Sequence, residues 1–138
     1  MAETVNIKWT EGMAFEAEVN DFKITLDAVE KVGGKNTGPQ PKPLTLVSLG
    51  GCTGMDVISI LNKMRVKPDY FNVEISADTT NEHPKYYNKI YIKYIFRGKD
   101  LPMAKLEKAV TLSQDRYCGV TEMLKAKSEI IHEIIVED

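Results

Sequence analysis

One apolar run in the middle of the chain constrains its fold more than any other feature. The pattern from Leu44 to Met64 predicts a long helix, and Pro43 is suited to its first turn. Its apolar residues are too many for a single stripe, which is typical of a helix that is buried on most sides. They are Leu44, Leu46, Val47, Leu49, Met55, Val57, Ile58, Ile60, Leu61 and Met64.

Glycines interrupt this helix pattern and indicate what packs against it. Gly50, Gly51 and Gly54 each cost about 1 kcal/mol relative to alanine inside a helix. That cost is explained if another backbone packs closely against the helix at these positions. A buried helix of this kind needs more covering surface than one small sheet offers. We therefore predict a homodimer in which the partner chain completes the core.

Period-two alternation predicts an antiparallel meander of three half-buried strands before the helix. The three strands are 5–10, 15–19 and 22–27. A loop rich in glycine and proline, residues 30–43, then leads to the helix.

The rest of the chain alternates between strand and helix patterns. In order, these are two strands within 71–78 and 90–97, a helix from about 102, a short helix over 117–125 and a final strand over 130–136. Isoleucines on both faces of the final strand predict that it is covered on both sides. The whole pattern predicts an α+β fold in a single domain, residues 1–138.

Charge and hydropathy exclude several classes of partner. The net charge of −2 over 138 residues gives no electrostatic case for binding nucleic acid or an anionic membrane. No apolar stretch is expected to reach the length of about 20 residues that spans a bilayer. The first residues lack the basic start and apolar core of a signal peptide, so we expect a cytoplasmic protein with reduced thiols.

The two cysteines are the residues with the most distinctive chemistry. Cys52 lies on the predicted central helix, and Cys118 lies 66 positions later, where a short helix begins. Two interpretations stay open: a two-thiol redox pair, or two small hydrophobic side chains in the core. Asp56 lies one helical turn after Cys52, and a carboxylate there disfavours a thiolate unless the fold supplies a positive charge. Cys118 has Arg116 nearby.

A metal site is not predicted from spacing. The candidate ligands Cys52, His83, Cys118 and His132 include no pair at the short separation that is typical of zinc sites. We expect both histidines to be ordinary loop and strand residues.

Two segments of the sequence resemble the OsmC/Ohr family. The first is the loop-to-helix passage 38–61, which contains LGGCTGMD at 49–56, and the second is RYCGV at 116–120. The predicted order of strands and helices agrees with that family over nearly the whole chain. Within the family, the form GGCTGMD resembles the OsmC-like branch of YhfA-type proteins. The resemblance implies an OsmC-like fold and an intertwined homodimer with the cysteines near its interface.

The resemblance also implies an activity, the thiol-dependent reduction of organic hydroperoxides by an antioxidant peroxidase of the stress response. In that scheme Cys52 is the attacking thiolate and Cys118 is the resolving thiol. A dithiol reductant such as a lipoyl group regenerates the pair. No metal and no bound cofactor are implied.

The sequence departs from the peroxidase branches of this family at one pair of residues. Those branches have an arginine near the N-terminal strands and a glutamate in the loop before the central helix. Here every arginine follows Cys52, and the stretch 41–44 contains no acidic residue. Lys42 and Arg116 are the candidates to replace the missing cation, although lysine lacks the planar fork of arginine.

This departure leaves two other functions open. One is an OsmC-like dimer that binds a small apolar ligand or senses redox state through its thiol pair. The other is a protein whose thiols are inert.

Overall fold

A computed structural model of the chain describes residues 2–138, which divide into two units. The first ends at Thr45, and the second runs from Leu46 to Asp138. The first unit contains β1 (Asn6–Glu11), β2 (Ala14–Val19), β3 (Phe22–Leu26) and a 3-10 turn (Glu30–Val32). The long helix α1 (Pro43–Lys63) begins at its end.

The strands of the first unit form the predicted meander. β1 and β3 both pair antiparallel with β2. Asn20 and Asp21 turn the chain between β2 and β3 with φ of 50° and 67°, a conformation that suits these two residue types. The predicted half-burial is wrong for the single chain, since Trp9 is 60% exposed and Phe22 is 74% exposed.

A buried carboxylate holds the loop that follows this sheet. The Oδ2 atom of Asp27 accepts the hydroxyl of Thr37 at 2.7 Å and the backbone N–H groups of Thr37 and Lys35. Its Oδ1 atom accepts the N–H of Ala28 at 2.7 Å. These bonds, that of the Thr37 hydroxyl above all, lower the pKa of Asp27 to about 2. The sequence analysis predicted the loop but not this anchor.

The second unit places a mixed sheet beside the helices. Its further elements are β4 (Tyr70–Thr79), β5 (Tyr87–Arg97), α2 (Met103–Leu112), a π-helical turn (Ser113–Tyr117), α3 (Gly119–Leu124) and β6 (Glu129–Glu137). β5 is central, antiparallel to β4 and parallel to β6. The core joins one line of α1 to β5 and α2. Its fully buried members include Leu49, Thr53, Val57, Leu61, Ile90, Ile92, Tyr94, Phe96, Leu106, Ala109 and Val110.

The helix α1 matches the predicted bounds within one residue but not the predicted burial. Its buried residues form one line only, and Val47 and Met55 are 65% and 76% exposed. The prediction that α1 is buried on most sides is therefore wrong for the single chain. The close backbone expected at the glycines is not found within residues 2–138, where a Cβ atom at Gly50 would instead lie 3.2 Å from the side-chain Cδ1 of Ile75 on β4.

Two other expectations need correction. The 21 residues of α1 are long and apolar enough to span a membrane by length and composition. The expected lack of any such stretch is wrong, although core helices of soluble proteins meet the same criterion. The final strand is also less covered than predicted, since Ile131 and Val136 are 40% and 39% exposed.

The Asp27 anchor predicts a pH-dependent stability. Replacing Asp27 by Asn keeps the side-chain shape and removes its charge. Because the folded-state pKa of about 2 lies below the ordinary 3.8, the carboxylate stabilises the fold fully above about pH 4. That contribution is lost as the pH falls through about 2. Urea unfolding should show that wild type has a higher free energy of unfolding than D27N, and that this difference becomes smaller as the pH falls from about 4 to about 2.

The control variant for this experiment is Asp69→Asn, which changes an exposed carboxylate. Its free energy of unfolding should equal that of the wild type over the same pH range. A gap between wild type and D27N that is independent of pH would contradict the assignment.

Candidate functional site

The structure brings the two cysteines together beside a carboxylate. The Sγ atoms of Cys52 and Cys118 and a carboxylate oxygen of Asp56 all lie within 4.8 Å of one another. Both sulfurs are free thiols. Folding therefore brings two cysteines that are 66 positions apart in sequence into a single site.

Two elements of the second unit place these side chains. Cys52 and Asp56 lie four residues apart on α1, so both project from the same face of the helix. Cys118 follows the π-helical turn and caps α3, where its Sγ accepts the backbone N–H of Thr121 at 3.4 Å. Its own N–H donates to the carbonyl of Ser113 at 2.8 Å. The predicted position of Cys118 at the start of a helix is confirmed.

The two sulfurs differ in exposure and in environment. Cys118 is 3% exposed, whereas Cys52 is only partly buried. Burial raises the pKa of the Cys118 thiol, and the adjacent Cys52 raises it further, against the lowering effect of the hydrogen bond from Thr121. At neutral pH Cys118 is therefore held as a thiol, and Cys52 is the sulfur that solvent can reach.

A chain of buried hydroxyl groups lies behind the carboxylate. Thr53 Oγ1 lies 2.7 Å from both Tyr94 Oη and Ser113 Oγ. Ser113 Oγ donates to Asp56 Oδ2 at 2.9 Å. At the other end, Gln114 Nε2 donates to Tyr94 Oη at 2.6 Å. The chain thus connects α1, β5 and the π-helical turn.

The hydrogen-bond chemistry fixes the direction of this chain. An ionised Asp56 can only accept, so the single hydroxyl proton of Ser113 is committed to it. Thr53 must then donate to Ser113 and accept from Tyr94. Burial raises the pKa of Tyr94, so its hydroxyl keeps the proton that this arrangement requires. Each hydroxyl group in this series therefore donates its hydrogen bond in the direction of the Asp56 carboxylate beside the thiols.

The sequence analysis offered two cationic residues, Arg116 and Lys42, as replacements for the missing cation. Arg116 is exposed, and its guanidinium carbon lies 5.8 Å from the ring centre of Tyr117. Lys42 is exposed in the first unit, one residue before α1 begins. Their supporting roles stay predictions, as do the catalytic roles of the two cysteines.

Sequence reasoning missed the polar residues behind the site. Thr53, Tyr94, Ser113 and Gln114 are all buried, and none was singled out. A signal existed for Thr53, because it falls on the same helical line as Leu49, Leu61 and other apolar residues. A polar side chain on a fully buried line must find a partner.

The hydroxyl chain predicts the cost of breaking it. Replacing Ser113 by Ala leaves Thr53 without its acceptor and Asp56 without its donor. Because Thr53 is fully buried and Asp56 is partly buried, we expect the free energy of unfolding to fall by about 1–3 kcal/mol. Chemical denaturation of the reduced protein measures it. Ser48→Ala, at an exposed position of α1, is the matched control and should change stability little. Equal stabilities of both variants would contradict the network.

Comparison with known proteins places the chain in a family. A family model described as OsmC-like protein matches residues 34–133. The protein YhfA of Escherichia coli K12 is 32% identical over 127 residues, which cover 91% of this chain and 92% of YhfA.

Solved structures agree with this result. A hypothetical protein from Aquifex aeolicus VF5 has a TM-score of 0.84 at 31% identity, covering 100% of this chain and 99% of that one. The organic hydroperoxide resistance protein OhrB of Bacillus subtilis has the same fold, with a TM-score of 0.65 at 15% identity and coverage of 97% and 98%. The sequence match, the α+β architecture and the paired cysteine segments lead to one conclusion: this chain belongs to the OsmC-like protein family.

Proposed function

We propose that the chain reduces organic hydroperoxides with Cys52 and Cys118 as a two-thiol peroxidase. The observation that carries the proposal is the separation of the two sulfurs, at most 4.8 Å. Rotation of the two side chains can close such a gap to a disulfide. A lone thiol would offer no such route back from an oxidised state.

The first step takes place at the more accessible sulfur. The Cys52 thiolate attacks the terminal oxygen of the hydroperoxide, and the O–O bond breaks. Cys52 becomes a sulfenic acid, while the alkoxide leaves and takes up a proton to form the alcohol. We assign the transfer of the thiol proton to the Asp56 carboxylate, which lies within 4.8 Å of both sulfurs.

The second step uses the buried sulfur. Cys118 attacks the sulfenic sulfur of Cys52, the S–S bond forms, and the oxygen leaves as water. A dithiol reductant, such as a lipoyl group, then reduces the disulfide and is itself oxidised to a disulfide. A cytoplasmic location suits this cycle because the thiols there are kept reduced.

The proposal predicts a defined chemical change on the two cysteines. One equivalent of an organic hydroperoxide should convert the reduced chain to an internal disulfide, with the loss of two hydrogens in mass. Cys52→Ser should abolish peroxide consumption. Cys118→Ser should consume one equivalent and stop at the sulfenic acid, because the second sulfur is missing.

The two variants serve as controls for each other, since each removes one of two neighbouring sulfurs. Mass spectrometry and a peroxide assay give the readouts. Unchanged consumption by Cys52→Ser would overturn the proposed function.

The chain is also proposed to act as a homodimer through an apolar groove between α1 and β4. The groove has a volume of about 990 Å³ and its lining is mostly apolar. It includes Leu46, Val47, Gly50, Met55, Ile58 and Phe71. Exposed apolar surface of this kind marks an interaction site. We assign the second copy of the chain as its occupant, because α1 carries the apolar pattern of a helix covered on most sides.

An acidic residue in this groove should separate the two copies. We expect the wild type to sediment at twice the chain mass of 15.5 kDa, and Met55→Asp to shift towards the monomer. Met103→Asp, also at an exposed methionine but outside the groove lining, is the matched control and should remain dimeric.

Analytical ultracentrifugation with native mass spectrometry distinguishes the alternative function. A wild-type monomer that retains a small apolar molecule would instead support ligand binding in this groove. It would contradict the dimer.

A further inference from the structure

The cluster of Cys52, Cys118 and Asp56 offers three metal-binding atoms within 4.8 Å of one another. Two sulfurs and one carboxylate oxygen form a donor set that suits a thiophilic divalent ion. We propose that the reduced protein binds Zn²⁺, or a similar ion, through these three side chains. This inference goes beyond the proposed peroxidase function and does not depend on it.

The spacing of the donors fits a tetrahedral zinc ion. With Zn–S bonds of about 2.3 Å and a Zn–O bond of about 2.1 Å, tetrahedral angles separate the donor atoms by about 3.6–3.8 Å. The observed limit of 4.8 Å is about 1 Å wider. Cys52 and Asp56 already share one face of α1, so small rotations of the side chains are enough to bring the three atoms onto one ion.

The carboxylate has the supporting contact expected of a metal ligand. Ser113 donates to Asp56 Oδ2 at 2.9 Å, so this hydroxyl restrains the position of the carboxylate. Thr53 and Tyr94 hold Ser113 in turn. Such second contacts orient a metal ligand and raise its affinity.

A further polar atom lies at the same place without a partner. Among the residues 2–138 that the structure describes, Thr121 Oγ1 is the buried side-chain oxygen that forms no hydrogen bond of good geometry. Its interaction with the Cys118 sulfur lowers the pKa of that thiol. A three-ligand zinc site keeps a fourth position for water. That water would give the Thr121 hydroxyl a partner of good geometry.

The charges of the described residues leave room for a cation. None of the salt bridges found within residues 2–138 involves Asp56. The nearest arginine in sequence to Cys118, Arg116, lies over the ring of Tyr117. A divalent ion would compensate two thiolates and a carboxylate at one point. A disulfide between the cysteines would remove both sulfur donors, so only the reduced chain can bind.

Cobalt titration tests the proposal on the full chain. Reduced protein without oxygen should bind one Co²⁺ with a near-ultraviolet thiolate-to-cobalt absorption band, and Zn²⁺ should displace it. Cys52→Ser, Cys118→Ser and Asp56→Asn should each weaken Zn²⁺ binding by about 100-fold or more. Ser113→Ala, which removes the contact that supports Asp56 and also the acceptor of Thr53, should weaken Zn²⁺ binding by about 10–100-fold.

The matched control for Asp56→Asn is Asp115→Asn, an exposed carboxylate three residues before Cys118. It should bind Zn²⁺ as the wild type does. Wild type oxidised to the disulfide with diamide should lose binding, and this control requires no substitution. Cobalt uptake without a thiolate band, or equal affinities of wild type and Asp56→Asn, would overturn the site. No peroxide is used, so an inactive peroxidase would leave these results unchanged.

Discussion

The geometry of the site depends on the buried hydroxyl of Thr53. It lies on the one line of α1 that enters the core, and it links that helix to Tyr94 on β5 and to Ser113 on the π-helical turn. The residue before Thr53 is Cys52, and Asp56 lies one turn further on the helix. Fixing Thr53 therefore fixes where a sulfur and a carboxylate lie relative to the segment that ends in Cys118. A buried series of hydrogen-bonded hydroxyl groups is stable only when every group has its partner, because an unpaired buried hydroxyl lowers the free energy of unfolding.

The site differs from a simple thiol pocket because it also contains a carboxylate. Two sulfurs and a carboxylate converge, and the OsmC/Ohr arginine that would balance them is absent from the first 51 residues of this sequence. Asp56 is a proton acceptor in the proposed peroxidase cycle and an oxygen ligand in the proposed metal site. The same three side chains support both proposals because each needs donors that converge in a partly enclosed space. Both chemistries require the reduced thiols, and a disulfide between the two cysteines permits neither of them.

Much of the fold was predictable because it is encoded locally. Period-two alternation located the strands, and the apolar run located α1 within one residue of Pro43 and Lys63. Burial was less predictable, since the exposure of Trp9 and Met55 depends on what covers a surface in the assembly. The approach of Cys52 to Cys118 was implied only by the family resemblance. Ligand spacing could not reveal a cluster closed over 66 residues, nor could periodicity identify Ser113 as the partner of Asp56.

The central claim is that folding brings two distant thiols next to one carboxylate. A crystal structure of the reduced protein tests this most directly, through the distance between Sγ of Cys52 and Sγ of Cys118. We expect the two sulfurs within 4.8 Å of each other, with Asp56 beside both. Sulfurs too far apart for side-chain rotation to join them, or separated by packed core residues, would contradict the account.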